Sequence, residues 1–332
     1  MRNKVLDAVR GFGILLVILG HTDGRPQLLM KFIYSFHMPL FFFVSGYLFN
    51  AEKFRKFRWR DFLLYKGRRY ILPYFAFAFT FYLLFVVLPE ARAALGGAPV
   101  AIQPLEKYLV GIFYSRGTAA WLPVSSPLWF LTALFMTEFF FFAILKLTRT
   151  DLARFWLIGL LAFLGYLTSL KLSVKIPWNA DTALTALAFF YVGRVLRAKG
   201  FVSVPIGLRA IGAAALVSFF AVRYNHIIVS FDDNRYGDGL LMYAGALAGI
   251  LLAFALAQRL ADGRFLRFLG RNTLLIMGLD FAVLRLVNVL LTKVGPAWLL
   301  SFILQVLIIS LVIVGLRKVP FLYRLYSGKV DG

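Results

Sequence analysis

Long apolar stretches, each close to twenty residues, alternate along this chain with shorter polar and basic segments. The runs fall near 5–22, 31–50, 70–90, 126–148, 154–171, 179–197, 204–222, 238–258, 272–291 and 295–316. About 20 apolar residues cross a bilayer as a helix. The pattern therefore predicts an all-α integral membrane protein, a bundle of about ten transmembrane helices. Runs this long lack the short alternation of an outer-membrane barrel. The first run resembles a secretory leader, but Asp7 and Arg10 interrupt it and no small-residue cleavage site follows, so it is read as a retained helix. Most connections are short, which makes neighbouring helices antiparallel, and residues 1–332 are read as a single transmembrane domain. Two connections stand apart. Segment 91–125 carries Gly96–Gly97, several prolines and an interfacial stretch around Leu105–Tyr114, and segment 223–237 carries His226, Asp232, Asp233 and Asn234.

Composition sharpens the class. Of 332 residues, 61% are hydrophobic and 16% charged, against about 45–50% and about 25% in soluble domains. A soluble enzyme, a disordered chain and a collagen-like chain are excluded. The net charge of +22 would suit nucleic acid, but the basic residues lie between apolar runs and no basic stripe is interleaved with aromatics. The expected contacts of that charge are membrane lipids, not nucleic acid. With the N-terminus inside, 24 Lys and Arg fall on inward segments and 10 on outward ones. The positive-inside rule then places both termini in the cytoplasm. Cysteine is absent, so there is no disulfide framework, thiolate nucleophile or Cys-ligated metal, and no metal is expected.

Ionisable residues inside spans are costly and mark candidate chemistry. On a helix turning 100° per residue, Arg10 and His21 point within about 20° of each other, separated by a rise of roughly 16 Å. Asp7 lies about 60° from that direction, so Asp7, Arg10, Ile14, Val17 and His21 form one seam. A cation at the inner end and an imidazole deeper along suit a long ligand with an anionic head. The second span places His37 at a depth similar to His21, with Pro39 disturbing the backbone hydrogen bonds beside it and leaving room for a pocket. Further in, Ser45–Gly46 lets helices approach closely, and Ser45 is also a candidate for contact with the ligand. Segment 51–69 is the densest basic cluster, including Lys66, Arg68 and Arg69. Anionic lipid or a phosphate ligand would each suit it. Glu138 needs a partner or a proton within its span, and Asp280 and Arg285 are each expected to meet another helix. Trp121, Trp129, Trp178 and Tyr236 are candidates for stacking on a sugar face or for the interfacial aromatic belt.

Several of these residues form a recognisable set. LeuAspAlaValArgGly at 6–11 with His21, PhePheXxxXxxSerGlyTyr at 41–47, Lys66–Arg69 before IleLeuPro, ProLeuTrpPheLeu at 127–131 and GlyArgAsnThrLeu at 270–274 occur in order along the chain. Together they resemble the acyltransferase-3 family of integral membrane enzymes, in the branch of sugar O-acetyltransferases of the fucose 4-O-acetylase type. One position departs from the pattern. Where many relatives carry a His after the late turn, this chain has Asp280.

The resemblance implies transfer of an acetyl group from acetyl-CoA to a hydroxyl of a carbohydrate or lipid-linked glycan, in a bacterial cytoplasmic (inner) membrane. The expected catalytic set is His21, His37, Asp7 and Glu138. The donor would rest on Arg10, Lys66, Arg68, Arg69 and Ser45, and the acceptor on Trp129 and Asp280. His21 would act as general base. His37 would orient His21, polarise the thioester or stabilise the oxyanion. Direct transfer and a covalent acetyl-His intermediate both remain open. The alternatives are a transporter or flippase for a lipid-linked sugar or anion, and a non-catalytic assembly subunit.

Overall fold

The computed structural model describes residues 3–94, 105–117, 121–122, 126–171, 175–292 and 297–329. In chain order the helices are α1 (Lys4–His21), α2 (Gln27–Leu48), α3 (Ala51–Arg55), α4 (Trp59–Lys66), α5 (Leu72–Tyr82), α6 (Leu88–Ala94), α7 (Leu105–Tyr114) and α8 (Trp129–Leu147). They continue as α9 (Asp151–Lys171), α10 (Ala180–Ala198), α11 (Leu208–Tyr224), α12 (Gly239–Arg259), α13 (Arg264–Arg271), α14 (Thr273–Leu291), α15 (Trp298–Leu316) and α16 (Pro320–Ser327). Among the described residues the only extended pairing is an isolated bridge between Ser230 and Arg235.

Seven stretches are long and apolar enough to cross a membrane: Gln27–Leu48, Trp59–Val87, Ser126–Leu147, Asp151–Lys171, Gly239–Arg259, Thr273–Leu291 and Trp298–Leu316. The other three expected runs are helical as α1, α10 and α11. The first two each hold three charged residues, and α11 is 17 residues long. By length and apolarity, then, seven of the ten expected runs qualify as spans among the described residues. The interfacial stretch in 91–125 is helix α7, while positions 95–104, 118–120 and 123–125 of that connection lie outside the described residues.

Helix α2 sits at the centre, packed on α10, α12 and α1. The outer helices turn large apolar side chains away from the protein: Phe155, Trp156 and Phe163 on α9, Phe219 and Phe220 on α11, Leu307 and Leu311 on α15. That arrangement belongs to lipid, since water would penalise so much exposed hydrocarbon.

Glycines set the closest approaches between helices. A β-carbon at Gly46 would lie 1.9 Å from the Phe190 carbonyl oxygen, and one at Gly193 would lie 2.0 Å from that of Phe43, which brings α2 and α10 into backbone contact. Helices α1 and α13 meet the same way. Gly11 faces the Leu266 carbonyl oxygen at 2.0 Å and Gly270 faces that of Asp7 at 1.8 Å, both measured from an added β-carbon. The motif at 6–11 and the turn at 270–274, far apart in sequence, therefore fit together through two missing side chains.

The stretch from Trp59 to Ala94 is one continuous rod with two π-helical turns, Gly67–Ile71 and Leu83–Val87. The wider turn at Gly67–Ile71 ends two residues before Pro73, which lacks the N–H that an α-turn would require from it.

Candidate active site

Two cavities lie along α1. The wider, about 560 Å³, opens beside the N-terminal half of α1 and is lined by Arg10, Lys53, Lys66, Arg69, Arg271 and Lys329, with Ser45, Asn50, Tyr70, Glu138 and Thr273 among its polar wall. The narrower, about 40 Å³, holds His21 and His37 with Tyr34, Ser126, Trp129, Asp232 and Phe231. It has room for about one or two water-sized groups. Met277 lines both.

In the narrow cavity, His21 Nδ1 and Asp280 Oδ2 are 2.5 Å apart. Asp280 is fully buried, while the His21 side chain keeps 19% of its surface open. A carboxylate only accepts, so Nδ1 donates this bond, and in the neutral ring the lone pair is on Nε2. The imidazole edge also rests on Phe281 at 5.0 Å between ring centres. His37 is fixed differently. Its Nδ1 donates to the Ile33 carbonyl oxygen at 2.8 Å, one turn back on α2, and its ring packs on Tyr34. The partner that orients His21 is thus Asp280, and the partner of His37 is backbone.

The residues expected to act with the histidines separate along the molecule. Asp7 accepts from Arg271 Nε at 2.9 Å. It sits fourteen residues from His21 on α1, a rise of roughly 21 Å. Glu138 accepts from the Tyr70 hydroxyl at 2.9 Å and pairs with the buried Lys66 ammonium. Both carboxylates therefore belong to the basic half: Glu138 lines the wide cavity, and Asp7 holds one of its arginines. Glu138 neutralises a cation that would otherwise be buried alone, whereas Asp7 pairs with an arginine that keeps 42% of its side chain open. Arg10 donates to Thr273 Oγ1 at 2.7 Å. Of the five residues expected to hold the donor, Arg10, Lys66, Arg69 and Ser45 line the wide cavity, whereas Arg68 is exposed and is not part of its wall. Arg68 shares the π-helical turn with Arg69 and Tyr70, and of the three only Arg69 and Tyr70 line the cavity.

Trp129 is the one of the four aromatic candidates that lines the narrow cavity. Trp178 instead donates its indole N–H to the Phe113 carbonyl at 2.9 Å, Trp121 packs on Tyr114, and Tyr236 is buried against Phe231. A buried frame holds Trp129 from behind. Arg116 and Asp181 pair at 2.7 Å, and Asn179 Nδ2 donates to the Ser115 carbonyl at 2.6 Å. Ser115, Trp178 and Asn179 all have positive φ, a strained backbone that persists only where its surroundings fix it. His226 stays on the surface of the 223–237 segment.

Among the lining residues not singled out as site residues by the sequence are Asp232, Ser126, Tyr34 and Met277. Asp232 comes in from the polar 223–237 segment and accepts from the Ser230 hydroxyl. Its enclosed position pushes the carboxyl above the ordinary carboxylate range. An acidic residue on a polar loop facing two histidines was a readable signal, but only if the loop's fold over the helix ends had been known.

The arrangement can hold a polyanion at one end of α1 and remove a proton at the other. Among the described residues no cluster of three or more metal-ligating side chains occurs. The family model for an acyltransferase domain matches residues 3–316. Among curated proteins, the nodulation protein NolL of Mesorhizobium japonicum is 25% identical over an alignment covering 90% of this chain and 81% of its own length. NolL of Sinorhizobium fredii is likewise 25% identical, with the same coverage. No solved structure matches the chain.

Proposed function

The chain belongs to this acyltransferase family, and from that premise we propose that it moves an acetyl group from acetyl-CoA to a hydroxyl of a carbohydrate or lipid-linked glycan. The observation that carries the proposal is the alignment of the two cavities along α1, basic at one end and histidine-lined at the other, with Met277 common to both. The phosphates of coenzyme A would sit among Arg10, Lys66 and Arg69, and the thin arm would pass Met277 so that the thioester reaches His21. The small volume of the histidine cavity suits one hydroxyl and one carbonyl, not a whole sugar ring. The ring itself would remain outside, against Trp129, with Asp232 and Ser126 accepting or donating to neighbouring hydroxyls.

The chemistry follows from the tautomer. His21 Nε2 takes the proton of the acceptor hydroxyl as its oxygen attacks the thioester carbonyl carbon. Asp280, fixed on Nδ1, stabilises the imidazolium that forms. The tetrahedral intermediate then collapses, the C–S bond breaks, and the imidazolium returns its proton to the departing thiolate. His37, with Nδ1 tied to Ile33, offers Nε2 toward the hydroxyl or the thioester and positions one of them. The donor would enter from the cytoplasmic face of the inner membrane, the side to which the basic segments are assigned.

Thermal unfolding of the detergent-solubilised protein with coenzyme A tests the donor. A bound ligand raises the midpoint in proportion to the logarithm of its concentration over Kd. A rise with coenzyme A that is lost in Arg10→Ala is expected. No response at millimolar coenzyme A would overturn the proposal.

A further inference from the structure

Resting on the coenzyme A reading above, we propose that α16 and the turn after it form a wall of the donor site, with Lys329 binding a phosphate at the nucleotide end of the donor. The family match ends at residue 316. Beyond it, Ser327, Gly328 and Lys329 line the wide cavity together with Arg10 and Arg69. A segment outside the shared domain thus completes the cavity in this chain.

The segment is fastened at two places. The Tyr323 hydroxyl donates to Asn272 Oδ1 at 2.9 Å, and Arg317 reaches the same oxygen at 3.4 Å. This ties α16 to the turn at the head of α14, next to Thr273, the partner of Arg10. On the other side, the hydroxyls of Tyr326 and Thr80 lie 2.7 Å apart, and the Tyr326 ring packs on Phe77. These contacts dock α16 on α5.

Gly328 then steers the chain along the cavity. It ends α16 with φ +62°, a left-handed termination that glycine adopts without steric cost. A β-carbon there would stand 2.2 Å from the Arg69 carbonyl oxygen. Pro73 has no N–H to give that carbonyl, and the tail's backbone comes in at this point. Lys329 follows directly. Its ammonium lies 4.5 Å from the centre of the Tyr323 ring and hydrogen-bonds that residue's hydroxyl, a neutral partner that leaves the positive charge uncancelled. A compact ammonium on a flexible stem is suited to phosphate oxygen as a point charge.

The test uses the full-length protein in detergent and two probes: coenzyme A, and pantetheine, which carries no phosphate. Calorimetric titration should show Lys329→Ala weakening coenzyme A about tenfold, the scale of one charge-assisted contact at a partly open site. Lys329→Glu should weaken it further, and the Kd for pantetheine should change less than twofold in either variant. Gly328→Val should also weaken coenzyme A, because the tail can no longer follow the wall. Equal coenzyme A affinity in wild type and Lys329→Glu would overturn the role of the tail while leaving the donor site intact. Equal losses for both probes would overturn the phosphate contact. Failure of the wild type to bind coenzyme A would instead overturn the donor reading itself.

Discussion

Asp280→Asn isolates the effect of one charge on the reaction. The substitution keeps the size and shape of a side chain that is fully buried and 2.5 Å from His21 Nδ1. It removes the negative charge that faces the imidazolium during transfer. Two unit charges with centres about 4 Å apart interact by about 4 kcal/mol at an effective dielectric constant near 20. Loss of that stabilisation corresponds to a rate decrease of about a thousandfold. The amide dipole recovers part of it, so a fall in kcat of about a hundred- to a thousandfold is expected. Donor affinity should be unchanged, because Asp280 does not line the wide cavity. The fold should persist, since among the described residues Oδ1 of Asp280 has no hydrogen-bond partner to lose. The assay is transfer of labelled acetyl from acetyl-CoA to the glycan fraction of membranes, alongside titration of coenzyme A. Transfer within threefold of wild type would refute the proposed role of the His21–Asp280 pair.

Arg10→Ala should raise the Kd for coenzyme A by about ten- to a hundredfold, the scale of a lost charged hydrogen bond, with kcat at saturating donor changing far less; titration and saturation kinetics check it. Gly270→Ala places a β-carbon 1.8 Å from a backbone oxygen of Asp7, an overlap that no side-chain rotation relieves. Forcing α1 from α13 should cost at least about 1–3 kcal/mol, read as a lower thermal midpoint in detergent. Asp232→Asn should change the pH dependence of stability. Burial raises the folded-state pKa of Asp232 above its ordinary value of 3.8, so its contribution favours the fold at low pH and is lost as pH rises through the raised value. The Asn variant should therefore gain stability relative to wild type as pH rises above the ordinary value of 3.8, and a pH series of unfolding midpoints would show it.

The helices were legible because a lipid environment writes itself as long apolar runs. Among the described residues seven qualify as spans on that criterion alone, while α1 and α10 carry the charges of the site and its frame. The shared face of Arg10 and His21 was legible too, because both lie on one helix and 100° per residue fixes their relation. What the sequence withheld were partnerships between distant segments. His21 with Asp280, Asp7 with Arg271 and Lys66 with Glu138 join helices whose order in space no periodicity reveals. Glu138 and Asp7 read as catalytic because a charge within a span is conspicuous, whereas in the fold they pair with Lys66 and Arg271 beside the basic cavity. Helix α16 escaped notice for the opposite reason. It is eight residues long, follows the last apolar run, and takes its place through contacts of Tyr323 and Tyr326 with distant helices.

The most direct test of catalysis by His21 is single-turnover acetyl transfer by purified His21→Ala protein, with coenzyme A binding measured on the same sample. Coenzyme A should bind with wild-type affinity, because His21 lies outside the basic cavity, while transfer to the acceptor is abolished. Transfer at the wild-type rate by His21→Ala would contradict the assignment of the base.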